Sequence, residues 1–151
     1  YEVDADQLFA LMKVEQTKAQ SRKLLYEASA NDPQARTTED SVARVPYGEK
    51  TFSNGDVYKG EMTRSGVMHG WGFYVYADGA EYSGSMHRGQ RHGLGKYTSS
   101  SGELFIGHFK HNQRHGEGVK YCKNGEIQNG NWENGVFQGP ATSPFKNSTS
   151  H

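Results

Sequence analysis

Apolar and polar residues are arranged in three different ways along this chain. In residues 1–30 the apolar side chains fall in two dense groups. One is Leu8, Phe9, Leu11, Met12 and Val14, and the other is Leu24, Leu25 and Tyr26. Lys13, Glu15, Lys18, Arg22 and Lys23 lie between them, and no Gly or Pro interrupts the segment. This pattern predicts one amphipathic helix over roughly 5–29, opened by Asp4 or Asp6 and closed before Asn31-Asp32-Pro33. Residues 31–45 are polar and without period, which predicts a linker. Residues 46–139 alternate short apolar and polar stretches between glycines, and residues 140–151 read as a disordered tail.

The middle segment is periodic. All 19 glycines lie between Gly48 and Gly139. An aromatic–x–Gly–x–apolar unit recurs as Tyr58-Lys59-Gly60-Glu61-Met62, Tyr82-Ser83-Gly84-Ser85-Met86 and Phe105-Ile106-Gly107-His108-Phe109. Gln128-Asn129-Gly130-Asn131-Trp132 is a fourth, degraded copy, and the anchors are spaced 24, 23 and 23 residues apart. A second element follows each of the first three: His69-Gly70-Trp71-Gly72, His92-Gly93-Leu94-Gly95 and His115-Gly116-Glu117-Gly118. Seven residues after its second glycine comes Gly79, Gly102 or Gly125, and Gly48 to Gly55 repeats that interval as a leading half-unit. Asn54-Gly55, Asp78-Gly79 and Asn124-Gly125 are turn dipeptides. Each copy therefore predicts a β-hairpin, and repetition at this period predicts a stacked array.

Strand alternation assigns two faces. One collects Tyr58, Gly60, Met62, Gly72, Tyr74 and Tyr76, then Tyr82, Gly84, Met86, Gly95 and Tyr97, then Phe105, Gly107, Phe109 and Gly118. Glycine costs a strand about 0.5–1 kcal/mol. Its use here implies that rings from a neighbouring repeat lie on bare backbone and offset that cost. Trp71, Phe73 and Val75 point to the other face, so both faces of that strand are apolar.

The pattern Y-x-G-x-[W/M/F]…G-x-x-H-G-x-G…G resembles the MORN (membrane occupation and recognition nexus) repeat, most fully from Tyr58 to Gly79 and in register over about 47–139. The resemblance implies a mainly β fold: an elongated, twisted array of stacked antiparallel hairpins, here preceded by an N-terminal α-helix. It also implies scaffolds of cytoskeletal, ciliary and membrane-associated assemblies, some of them appendages of lipid kinases or methyltransferases. Departures include an extra residue between Met62 and Gly66, Asn112 for a turn glycine, Gln128 for the anchor aromatic and Gln138 for the histidine. The second strand of the fourth copy is expected to be missing, with Pro140 ending the array.

Composition narrows the function classes. Hydrophobic residues make up only 33 % of the 151 and mean hydropathy is −0.89, which a repeat array tolerates because each unit packs only on its neighbours. Formal net charge is zero, so the basic excess usual for nucleic-acid binding is missing. No apolar run reaches the roughly 18 residues of a membrane span. Cys122 is the single cysteine, which favours a reducing compartment. An intracellular setting is expected, cytoplasmic or cytoskeletal and ciliary, or organellar had a targeting sequence been removed. The chain begins at Tyr1, as a fragment or processed form would.

Candidate chemistry follows from the repeats. The threefold His-Gly-x-Gly reads as architecture, with each histidine fixing a turn rather than forming a metal ladder. Cys122 is expected inside a strand as a structural thiol. No phosphate-cradling or metalloprotease motif occurs, so the chain is read as non-catalytic, without metal or cofactor. Tyr58, Met62, Trp71, Phe73, Tyr74, Tyr76, Tyr82, Met86, Tyr97, Phe105, Phe109 and Trp132 form a candidate partner groove. His87, Arg88, Arg91, His92, Lys110, His111, Arg114 and His115 form a candidate edge for anionic lipid headgroups or an acidic partner, diluted by Glu61, Glu81, Glu103 and Glu117. Leu8, Phe9, Leu11, Met12, Leu24 and Leu25 make the helix either a docking element for a partner or a cover for its own repeats. The expected function is a scaffold or accessory module in a larger assembly. The alternatives are a peripheral membrane module and a regulatory piece of a larger enzyme.

Overall fold

The computed structural model describes residues 2–30 and 45–140. Most of the expected linker and tail, 31–44 and 141–151, therefore lies outside the described residues. Helix α1 spans Ala5–Ala30. Asp4 opens it, its Oδ1 accepting the Gln7 N–H at 3.3 Å as an N-cap does. Nine strands follow: β1 Tyr47–Thr51, β2 Val57–Met62, β3 Met68–Val75, β4 Glu81–His87, β5 Gln90–Thr98, β6 Leu104–Lys110, β7 Gln113–Tyr121, β8 Ile127–Glu133 and β9 Val136–Gly139. They form one antiparallel sheet in sequential order, open at β1 and β9. The second strand of the fourth copy is present after all, as the four-residue β9 paired to β8.

Both glycines of the His-Gly-x-Gly element have mechanical roles. Gly60 pairs with Gly72 and Met62 with Met68, so Glu61 alone faces His69, Gly70 and Trp71. The same bulge recurs between Gly84 and Met86 and between Gly107 and Phe109. The first glycine sits in this bulge with positive φ, 112° at Gly70, 93° at Gly93 and 94° at Gly116, a conformation that disfavours a Cβ. The second glycine lies beneath a ring. A Cβ on Gly118 would fall 2.6 Å from Cε1 of Phe105, and one on Gly72 or Gly95 would run into Tyr58 or Tyr82. The ring belongs to the same repeat, not to its neighbour as the sequence suggested. It reaches two residues along its own strand and across to the paired glycine.

These rings are the main core. Tyr58, Met68, Tyr82, Met86, Phe105, Phe109 and Trp132 are buried together, with Phe52, Met62, Tyr74, Tyr76, Tyr97 and Phe137 against them. Tyr58 and Tyr82 each turn the hydroxyl back, donating to the Glu61 carbonyl at 2.6 Å and the Ser85 carbonyl at 2.7 Å. Edge-on ring contacts link the units, Tyr82–Phe109 at 5.1 Å and Phe105–Trp132 at 5.2 Å, and Phe105–Phe109 at 5.3 Å joins them within β6.

The opposite face carries α1. Its start is pinned at β8, where Val3 N–H donates to Asn129 Oδ1 and Asn129 Nδ2 to the Val3 carbonyl, both at 2.8 Å. Val3, Leu8 and Met12 pack on Ile106 and Val119, with Trp71, Leu94 and Tyr121 around them. Further along, Arg22 grips Glu61 of β2, and the Lys23 ammonium lies 4.9 Å over the Tyr47 ring of β1. The helix thus crosses the sheet from β8 to β1. Its 26 residues span about 39 Å at 1.5 Å per residue. Nine strands about 4.8 Å apart span nearly the same distance.

Candidate functional site

The twelve residues read as a partner groove divide between the two faces. Trp71 and Phe73 lie on the helix face, with Phe73 38 % exposed. The other ten belong to the ring core. Tyr58, Tyr82, Met86, Phe105, Phe109 and Trp132 are buried, while Met62, Tyr74, Tyr76 and Tyr97 are half-buried. Their burial is spent on holding the units together, and only the half-buried rings meet solvent.

Two of the basic residues join that core. The Arg91 guanidinium lies 5.4 Å over Tyr97 and 5.4 Å over Phe109, with Tyr82 at 5.9 Å and Tyr76 at 6.0 Å. The Arg114 guanidinium lies 4.8 Å over Trp132 and 5.7 Å over Phe105. Each is aimed by the turn of the next unit: Arg91 Nη2 donates to the Asn112 carbonyl at 2.7 Å, and Arg114 Nη2 to the Gly135 carbonyl at 3.1 Å. Burial, and then the charge of Arg91, hold the Arg114 pKa below the usual arginine value. A cleft of about 290 Å³ opens between them, walled by Arg91, Tyr97, Phe109, Asn112, Gln113, Arg114 and Gly135.

The turn edge holds the histidines. His69, His87, His92 and His111 form a run of rings with centroids 4.7, 5.5 and 5.5 Å apart. Arg88 and Lys110 are exposed beside it. Desolvation, with the charges of His69, Arg88, His92 and His111, pushes the His87 pKa below the ordinary imidazole value. His69 Nδ1 accepts the Arg88 N–H at 3.1 Å, and His115 Nδ1 accepts the Asn134 N–H at 3.5 Å. These two histidines thus fix the turn of the following unit. Arg88, His111, Asn112 and Asn134 take positive φ in these turns, where Asn112 does the work of the glycine it replaces. Among the described residues no three His, Cys, Asp or Glu side chains converge on a metal position. Cys122 stands one residue past β7, in the turn where Gly125 N–H donates to its carbonyl at 2.9 Å, and not inside the strand.

Sequence reasoning placed Glu61 among the acids diluting the basic edge. It is instead 2 % exposed on the helix face. It accepts Arg22 Nε at 2.5 Å, Arg22 Nη2 at 3.0 Å and the Trp71 N–H at 2.8 Å. That hydrogen bonding raises the Arg22 pKa. No periodic signal marked the pair, since Ser85, His108 and Asn131 occupy the equivalent positions. Of the helix residues, Leu8 and Met12 are buried on the sheet. Phe9, Leu11, Val14, Leu24 and Leu25 are 37–58 % exposed. No helix among the described residues is long and apolar enough to cross a membrane.

No curated protein matches this chain. The MORN repeat family model matches four consecutive segments, 58–81, 82–103, 105–127 and 129–143, together more than half of the chain. Three of their starts fall on the ring anchors of β2, β4 and β6 and the fourth one residue past Gln128 of β8, and the chain belongs to the MORN repeat family.

Proposed function

We propose that this chain is a non-catalytic interaction module that holds a protein partner within a larger assembly. One observation carries the reading. Both faces of the sheet are committed to packing, yet five of the nine exposed large hydrophobic residues among those described lie on α1: Phe9, Leu11, Val14, Leu24 and Leu25. Such side chains on the outside of a helix already seated on its own sheet suit a second surface. The test is affinity capture from the native source, then reconstitution with the captured protein at defined stoichiometry. Asp at Val14, Leu24 and Leu25 should abolish the complex while the sheet stays folded by circular dichroism. A monomer that captures nothing, or a complex indifferent to these substitutions, refutes the reading.

A second reading rests on the imidazole run. Four histidine rings in tilted contact beside exposed Arg88 and Lys110 form an edge rich in basic side chains, and imidazole as a class gains charge on acidification. This supports attachment to an anionic membrane surface. Flotation on phosphatidylserine vesicles should strengthen from pH 7.4 to 5.5 and be lost with Arg88→Glu and Lys110→Glu. Binding indifferent to both changes removes the idea.

A further inference from the structure

The 23-residue register places Met68, Arg91, Arg114 and Phe137 at one position of successive units. Met68 is buried in the ring core and Phe137 packs against it, so the architecture is satisfied there by an apolar side chain. The two middle units carry guanidiniums instead. Their charges are not neutralised locally: neither Arg91 nor Arg114 takes part in the ion pairs Lys18–Glu15, Arg22–Glu61 and Lys120–Glu103. The carboxylate of Glu103, whose charge reaches Arg114, is engaged by Lys120 at 3.6 Å and by the Lys123 N–H at 2.9 Å. Arg91 Nε is buried without a hydrogen-bond partner, so its desolvation is left uncompensated. The two forks wall one cleft of about 290 Å³ with Tyr97 and Phe109 beside them, the small end of the range for ligand sites.

We propose that this cleft binds a phosphate monoester borne on a segment of the protein partner. The two guanidiniums face the phosphate oxygens, and Tyr97 and Phe109 meet the apolar group that carries them. This rests on the reading of the chain as a protein-interaction module. Two unneutralised forks match a group of about two negative charges and three acceptor oxygens. Each fork is already oriented by rings and by one carbonyl of the following turn, so little ordering remains on binding. A protein segment fits better than a bilayer surface. The outermost cations are Arg88 and Lys110, whereas Arg91 and Arg114 lie half-buried beside Phe109, itself 4 % exposed. A group must enter the cleft to reach them, as a side chain does.

Calorimetric titration of the full chain with phenyl phosphate and with inorganic phosphate, at constant ionic strength, tests this. Phenyl phosphate should bind with a stoichiometry of one and more tightly than inorganic phosphate. Arg91→Met and Arg114→Met should each weaken it at least tenfold while the chain stays folded by circular dichroism, since Met68 fills the equivalent place. Trp132 emission, read in a Trp71→Phe background, should respond to phenyl phosphate because Arg114 covers that ring. Absence of saturable binding overturns the proposal, as does equal affinity in either arginine variant. Phosphatidylserine vesicles that bind the chain and are displaced by phenyl phosphate would assign the cleft to a membrane and overturn it as well. The partner-capture experiment reads the helix surface, so either result stands without the other.

Discussion

Replacing Gly95 with Ala isolates the contact on which each unit is built. Gly95 is not among the glycines with positive φ, so a methyl group there meets no backbone strain. In an open strand the change would stabilise the chain by about 0.4–1 kcal/mol through the unfolded state. Here the new Cβ would sit 2.6 Å from Cζ of Tyr82, with Cε1 and the hydroxyl oxygen closer still. The ring has nowhere to retreat: Tyr82 is fully buried, and its hydroxyl is tied to the Ser85 carbonyl at 2.7 Å. Overpacking of this kind costs about 1–3 kcal/mol, so the sign reverses. In a domain of about 100 residues each kcal/mol moves the midpoint by roughly 4–8 °C. Gly48→Ala is the control, because its Cβ would meet only the tip of Met62, at 3.4 and 3.5 Å. Thermal and urea unfolding by circular dichroism should show Gly95→Ala clearly destabilised and Gly48→Ala unchanged or slightly stabilised. In a Tyr82→Leu background, Gly95→Ala should cost at least about 1 kcal/mol less, a coupling expected only of residues in contact. Equal behaviour of the two alanines, or no coupling to Tyr82, would refute the ring-on-glycine account.

Three further outcomes follow from the polar contacts. Arg22→Met leaves the buried Glu61 carboxylate with the Trp71 N–H alone. The loss is expected near 2 kcal/mol, below the range for a fully buried pair because the Arg22 side chain is 38 % exposed. Hydrogen exchange should show α1 protection falling while the strands keep theirs, and Glu61→Gln should restore part of it. Asp56 accepts the Tyr74 hydroxyl at 2.7 Å and the Ala77 N–H at 2.7 Å, and these, the hydroxyl foremost, hold its pKa below the ordinary carboxylate value. Its contribution is therefore complete above about pH 4 and is lost as pH falls through the depressed folded value. Asp56→Asn should remove that acid limb from the curve of melting temperature against pH. His87 shifts downward, and for a base the sign is opposite. The unfolded chain takes up the proton first, so stability falls as pH drops from about 6.5 to the lowered folded value. A His87 titration by NMR with a midpoint at or above 6.5 would contradict the packed imidazole run.

How much of this was legible in the chain follows from what each feature depends on. The glycine register and the alternation of side chains are local properties of strands, so hairpin order, turn positions and the face shared by Tyr58, Gly60 and Gly72 could be read directly. The start of the helix was readable for the same reason, because Asp4 acts within its first turn. The source of each ring was not. Parity says which face Tyr82 occupies, but not whether it folds back over Gly95 or forward onto the next unit. That is decided by the bulge at Ser85, whose carbonyl takes the Tyr82 hydroxyl.

The candidate site shows the same division. Arg88, Arg91, Lys110 and Arg114 look alike in sequence, as residues of equivalent turns. Packing separates them: Arg91 and Arg114 occupy the place that Met68 and Phe137 fill in other units, while Arg88 and Lys110 remain in solvent. The aligned column of Met, Arg, Arg and Phe was the available signal. Glu61 and Arg22 stand 39 residues apart, and no repeat carries both. Sequence established a periodic array with a helix in front, because periodicity and capping act between near neighbours. Which side chains are buried, which charges meet and where the helix lies depend on contacts between distant segments, and those exist only once the sheet has formed and α1 has crossed it.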